Sequence, residues 1–190
     1  MHTYKTLALF FLLLALTPLS SCKNDTKTVE ESQETGEKEV EMEEEEILLG
    51  LQSRQALEQA PYNSWFTENY EDYELDQELL PDLEQALQGV EITLFMGTWC
   101  SDSQREVPRF YKILDAANYD ADQIRLITVT EEKDTPAGYE DGLNITNVPT
   151  MIFTKEGEEL GRIVEYPVES LEKDMLKILT GAPYEHAYAE

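Results

Sequence analysis

The sequence predicts an α/β domain of about four strands with packed helices, reached through an N-terminal helical extension. Three observations carry that expectation. Val90–Met96 and Ile124–Thr130 read as strands, the second a β-branched run suited to burial on both faces. Between them Ser101–Ala117 has helical periodicity, with Val107, Phe110, Ile113 and Leu114 on one side. Thr150–Phe153 and Leu160–Val164 then form two short strands joined by Lys155-Glu156-Gly157-Glu158, a hairpin turn with glycine where positive φ is needed. The order is therefore β-α-β, then a ββ hairpin, then a closing helix over Ser170–Leu179. Leu171, Met175, Leu176 and Leu179 form the core face of that helix, and Gly181 is its stop signal.

With 190 residues the chain has room for one ordinary domain plus sequence outside it. Residues 1–21 start polar, carry Lys5, and then run apolar from Leu7 to Leu16. That layout fits a secretory signal, and the run is too short for a spanning helix of about 20 apolar residues. Its end, Leu19-Ser20-Ser21-Cys22, resembles the lipobox of bacterial lipoproteins, in which small residues precede the cysteine that is lipidated and becomes the new N-terminus. The resemblance implies that Cys22 is a membrane anchor, not a working thiol, and it places the protein in a bacterial cell envelope, facing the periplasm or the cell exterior. The competing reading is a plain signal peptide with an incidental cysteine.

Residues 22–46 hold almost no apolar side chains, and ten glutamates fall between Glu30 and Glu46. Such a segment cannot bury enough apolar surface to offset ordering entropy, so a disordered tether with an upper reach of about 80 Å is expected. A calcium site is the rival use, but no EF-hand spacing is present. The formal net charge of −26, with only 14 basic residues, sets the whole chain against nucleic acid, whose phosphates demand clustered Lys and Arg.

The helical extension covers residues 47–74. Ile47, Leu48, Leu51 and Leu57 suggest an amphipathic helix over Ile47–Gln59, and Tyr62, Trp65, Phe66, Tyr70 and Tyr73 fall on one helical face. An aromatic stripe of that kind is core packing more often than a partner groove. Leu75–Gln88 continues with helical periodicity, and Pro81 there suits the first turn of a helix better than its interior. The main domain spans 75–182, and 183–190 is a tail.

Four features along residues 75–180 resemble the thioredoxin family. Trp99-Cys100 stands at a strand–helix junction. Pro108 follows eight residues after Cys100, and Val148-Pro149-Thr150 precedes a strand. Gly157 in the hairpin and the last helix complete the order. Within that family the sequence is most similar to thioredoxin-like bacterial lipoproteins carrying Trp-Cys-x-Asp-Ser followed by Arg-Glu-Val-Pro-Arg-Phe. The resemblance implies a thioredoxin-like fold, with a central mixed sheet of about four strands flanked by helices. It makes Cys100 the nucleophile and gives Trp99, Val148, Pro149 and Thr150 the substrate side, with Pro149 in a cis bond that exposes the backbone of Val148. Elementary physics points the same way for Cys100, because unpaired N–H groups and the dipole at a helix N-terminus favour a thiolate.

The departures from the family are as informative. Ser103 stands where thioredoxins have a resolving cysteine. A hydroxyl can hydrogen-bond a thiolate but cannot attack a mixed disulfide, so the domain is monothiol. Leu94 replaces the buried acid that thioredoxins carry before the nucleophile. Asp102 opposes a neighbouring thiolate, while Arg105 and Arg109 pull the other way. His2 lies in the leader and His186 in the tail, so neither a Cys-His nucleophile pair nor a zinc site is supported, and no cofactor is implied. An iron–sulfur role of the monothiol glutaredoxin kind lacks the usual phenylalanine before the serine.

Three uses of Cys100 stay open. It exchanges with extracytoplasmic protein or small-molecule thiols and disulfides, with Ser103 beside it in the site. Alternatively, the fold is a binding module for extracytoplasmic clients, or Cys100 is a redox sensor oxidised to a sulfenic acid or mixed disulfide.

Overall fold

Strand β2 (Val90–Met96) sits in the middle of the sheet because its second half is apolar toward both faces, with Leu94, Phe95 and Met96 all fully buried. The computed structural model describes residues 47–189. The leader, Cys22 and the acidic segment up to residue 46 lie outside the described residues. β3 (Arg125–Thr128) runs parallel to β2, and β4 (Thr150–Lys155) runs antiparallel on its other side. β5 (Glu158–Val164) closes one edge antiparallel to β4. Its two-residue turn, Glu156-Gly157, has positive φ at both positions, the conformation a tight hairpin requires.

The other edge differs from the expectation of a helix over Ile47–Gln59. Gly50–Gln52 is a strand, β1, paired antiparallel to β3, and the helix that follows, α1 (Arg54–Leu57), is a single turn. The mixed sheet therefore has five strands, in the order β1-β3-β2-β4-β5. Gly50, at φ +83°, interrupts any continuous right-handed helix, and the exposed edge of β3 offers its backbone a partner. Leu57 is nevertheless completely buried, as the apolar pattern required.

The aromatic stripe packs inward. In α2 (Asn63–Asp72) Phe66 is buried and sits 6.0 Å from the ring of Tyr111, while Trp65, Tyr70 and Tyr73 lean on the same core. The Arg54 guanidinium grips both oxygens of Asp115, at 2.7 and 2.8 Å, and lies 5.0 Å from the Tyr111 ring centroid. In α3 (Leu80–Ala86) Pro81 occupies the first turn, where its missing N–H costs nothing. α5 (Leu171–Thr180) starts at Ser170, whose hydroxyl accepts from the Lys173 N–H, and ends at Gly181 in the left-handed region.

α4 (Ser101–Ala116) forms the crossover between β2 and β3 and packs Val107, Phe110, Tyr111, Ile113 and Leu114 against the helical side of the sheet. The opposite side holds a smaller core of Phe95, Ile127, Val129, Val148 and Ile152, covered by Tyr139, Leu143 and Ile145 from the irregular connection before β4. Because Phe95 pairs with Thr150, the start of β4 lies beside the end of β2. That register brings Val148 and Pro149 to the point where α4 begins. No helix of the described residues is long and apolar enough to cross a membrane.

Candidate functional site

Four residues, Gly97 to Cys100, turn the chain from β2 into α4. The Cys100 N–H donates to the Gly97 carbonyl at 3.1 Å, and the Cys100 carbonyl accepts from Gln104 N–H at 2.9 Å, so Cys100 is the N-cap residue. Ser103 is fully buried, and its Oγ accepts the N–H of Gly97 at 3.2 Å. The Gln104 amide donates to the Thr98 carbonyl at 2.7 Å. The helix thus ties back onto the turn that feeds it, which fixes where the Cys100 side chain starts.

The thiol of Cys100 is free and half-buried, and it donates to the Val148 carbonyl at 3.2 Å. The Val148–Pro149 bond is cis. Pro149 O accepts from the Glu165 N–H at 2.7 Å, and the Thr150 hydroxyl donates to the Asn147 carbonyl at 2.7 Å. Of the residues named on sequence grounds, Trp99, Cys100 and Val148 pack in one cluster, and Pro149 follows Val148 through the cis bond. Thr150 is buried behind them, 1 % exposed. Ser103 is near in sequence but serves differently: its hydroxyl is engaged by Gly97, with no hydrogen bond to Cys100 among the described residues. Leu94 is fully buried, so an apolar side chain occupies the place of the family's buried acid.

Gly97 is a site residue that the sequence reading missed. A Cβ built there would come within 2.4 Å of the Trp99 ring, so only glycine lets the indole fold back over the turn. From that position the Trp99 Nε1–H donates to the Val129 carbonyl at 3.0 Å. Gly97→Ala is therefore expected to push the indole off Val129 and red-shift its fluorescence in a Trp65→Phe background. An unchanged emission spectrum would show that the ring is not held by that close approach.

The charges on α4 cancel locally. Arg105 bonds Asp102 at 2.5 Å and Glu106 at 2.6 Å, and Arg109 reaches Glu106 at 3.3 Å. Glu106 is itself only 4 % exposed, so its carboxylate depends on these partners. The competition between Asp102 and the two arginines expected from the sequence is thus settled among themselves, and neither sign is left over to face the thiol.

Glu165, also missed, links the proline loop to the C-terminal tail. It adopts φ +66°, and its carboxylate accepts from the Asn147 amide at 3.2 Å and from the Tyr188 hydroxyl. The tail and this loop border a cleft of about 650 Å³ lined by Asn147, Thr150, Arg162, His186 and Tyr188 among others. Burial, with help from Arg162, holds His186 below the usual imidazole range, and its Nδ1 accepts from the Tyr188 N–H. Neither Cys100 nor Trp99 lines the cleft. Among the described residues no group of three or more His, Cys, Asp or Glu side chains could hold a metal ion.

A family model described as thioredoxin matches residues 50–177. The match begins in β1, well before residue 75, where the resemblance read from the sequence began. Among solved structures, a protein of unknown function from Pseudomonas aeruginosa has a TM-score of 0.53 at 17 % identity, over 70 % of this chain and 94 % of that one. An HIV epitope scaffold gives 0.52 at 17 % identity with the same two coverages. An oxidised mitochondrial thioredoxin 3 from Saccharomyces cerevisiae is 20 % identical over 50 % of this chain and 86 % of its own, with a TM-score of 0.31. No curated protein sequence matches the chain.

Proposed function

Because the chain belongs to the thioredoxin family, matched over most of its described residues, we propose that it is a monothiol thiol–disulfide exchange protein acting through Cys100. One observation carries this reading. A free, half-buried thiol caps a helix and lies 3.2 Å from the carbonyl that precedes a proline loop, where the family meets its substrates.

In the exchange, the Cys100 sulfur, having lost its proton to solvent and released the Val148 carbonyl, attacks one sulfur of a partner disulfide. The new S–S bond forms as the old one breaks, and the departing thiolate takes up a proton. With Ser103 unable to attack, an external thiol must cleave the mixed disulfide and free Cys100. The lipobox-like Leu19-Ser20-Ser21-Cys22 supports a lipid anchor at Cys22, and the acidic run to Glu46 supports a tether holding the domain off the membrane. The partners are accordingly extracytoplasmic proteins or small thiols and disulfides.

The test is trapping in cells with an acid quench and thiol alkylation. Wild type should yield mixed disulfides that vanish in Cys100→Ala. Cys22→Ala should keep them while losing palmitate label and leaving the membrane fraction. If Cys100 alkylates no faster than a free cysteine near pH 7 and no Cys100-dependent adduct is recovered, exchange is wrong and the fold is a tethered binding module.

A further inference from the structure

We infer that Lys133 selects the disulfide partners of Cys100 by charge, favouring anionic ones; this rests on the exchange reading above. Lys133 lies in the turn after β3, within a loop pinned by backbone bonds. Its N–H donates to the Thr130 carbonyl at 3.0 Å, the Thr130 N–H donates to Asp134 O at 3.1 Å, and the Thr130 hydroxyl donates to the Asp134 carboxylate. The residue takes φ +67°, a backbone state uncommon for lysine, which the surrounding turn enforces.

The ammonium is held 5.8 Å from the centroid of the Trp99 ring, and that ring is itself fixed by Gly97 beneath it and by its bond to Val129. A cation is therefore stationed on the side chain next to Cys100, with its stem half-buried. It makes no ion pair among the described residues, whereas Arg105 and Arg109 on α4 are consumed by Asp102 and Glu106. Glu131, Glu132 and Asp134 on the same turn are exposed, and among the described residues none of them bonds Trp99 or Cys100. In a chain of net charge −26, and in a turn whose other charged residues are acidic, Lys133 thus sets a positive charge against the indole next to Cys100.

Two small disulfides test this, 5,5′-dithiobis(2-nitrobenzoate) as a dianion and cystamine as a dication. Each is mixed with the full chain at about 0.01 M salt, where the Debye length is about 30 Å, and the adduct at Cys100 is timed by mass spectrometry of its peptide. For an effective separation of about 15 Å between residue 133 and the charges of the probe, reversing the charge changes the rate of a doubly charged probe by about threefold, in opposite directions for the two. Lys133→Glu should therefore lower the dianion-to-dication rate ratio by about tenfold, Lys133→Gln by about threefold, and about 1 M salt should erase both shifts. Lys155→Glu, the same change on the hairpin at the far end of β4, should leave the ratio in place. The inference is overturned if Lys133→Glu moves both rates by the same factor, as loss of Trp99 packing alone would, or if Lys155→Glu shifts the ratio equally. Should Cys100 of the wild type react with neither probe, exchange itself falls and the charge selection with it.

Discussion

Ser103→Cys is expected to turn the monothiol into a dithiol, shortening the life of every Cys100 mixed disulfide by at least about a hundredfold against millimolar external thiol. Residue 103 lies one helical turn after Cys100, so a thiol there attacks intramolecularly, at an effective concentration far above that of any free reductant. The site is also fully buried, so the new thiol is shielded from bulky disulfides and acts only after Cys100 has reacted. Exchange of the hydroxyl for a sulfur weakens the bond that Ser103 accepts from the Gly97 N–H, at a stability cost of about 1 kcal/mol. The variant should form a disulfide between residues 100 and 103 that a thioredoxin-type reductant opens, a bond that wild type, with Ser103, cannot form. Adduct lifetimes measured by quench and alkylation decide the matter: equal lifetimes in both proteins would mean that the first turn of α4 does not bring the two sulfurs together.

Phe110→Ala is expected to cost about 3–5 kcal/mol, because it empties a fully enclosed site without letting the neighbours collapse into it. The Phe110 ring meets Phe153 of β4 edge-on at 6.0 Å, so the cavity opens between α4 and the centre of the sheet. At the size of this domain that loss lowers the melting temperature by roughly 10 °C or more. Phe110→Leu keeps most of the volume and should cost less than about 1.5 kcal/mol. Position 110 is ten residues beyond Cys100, about 15 Å along the helix, so the alkylation rate of Cys100 should stay near that of wild type while stability falls. Urea melts with alkylation kinetics separate the two effects. A Phe110→Ala variant within 1 kcal/mol of wild type would show that α4 is not held to the sheet as described.

Most of the frame was legible in the sequence because its signals are local. A strand shows as a β-branched run, α4 as an apolar stripe, the hairpin as Glu156-Gly157, and the last helix as Ser170 at one end and Gly181 at the other. Each depends on residues within about a turn of one another. The same kind of reading put Cys100 at the start of α4 and marked the missing thiol at Ser103, since both follow from position relative to one helix. The tertiary structure alone decided what lies far apart in the chain. Gly50–Gln52 became a strand only because the edge of β3, some 75 residues later, offered hydrogen bonds that a three-residue segment could not supply to itself. Lys133 met Trp99, Glu165 joined Asn147 to Tyr188, and the Val148 carbonyl received the Cys100 thiol because sheet register set those neighbours side by side. Periodicity along the chain says which face a side chain takes, but the partner across that face is set by the packing of the whole sheet.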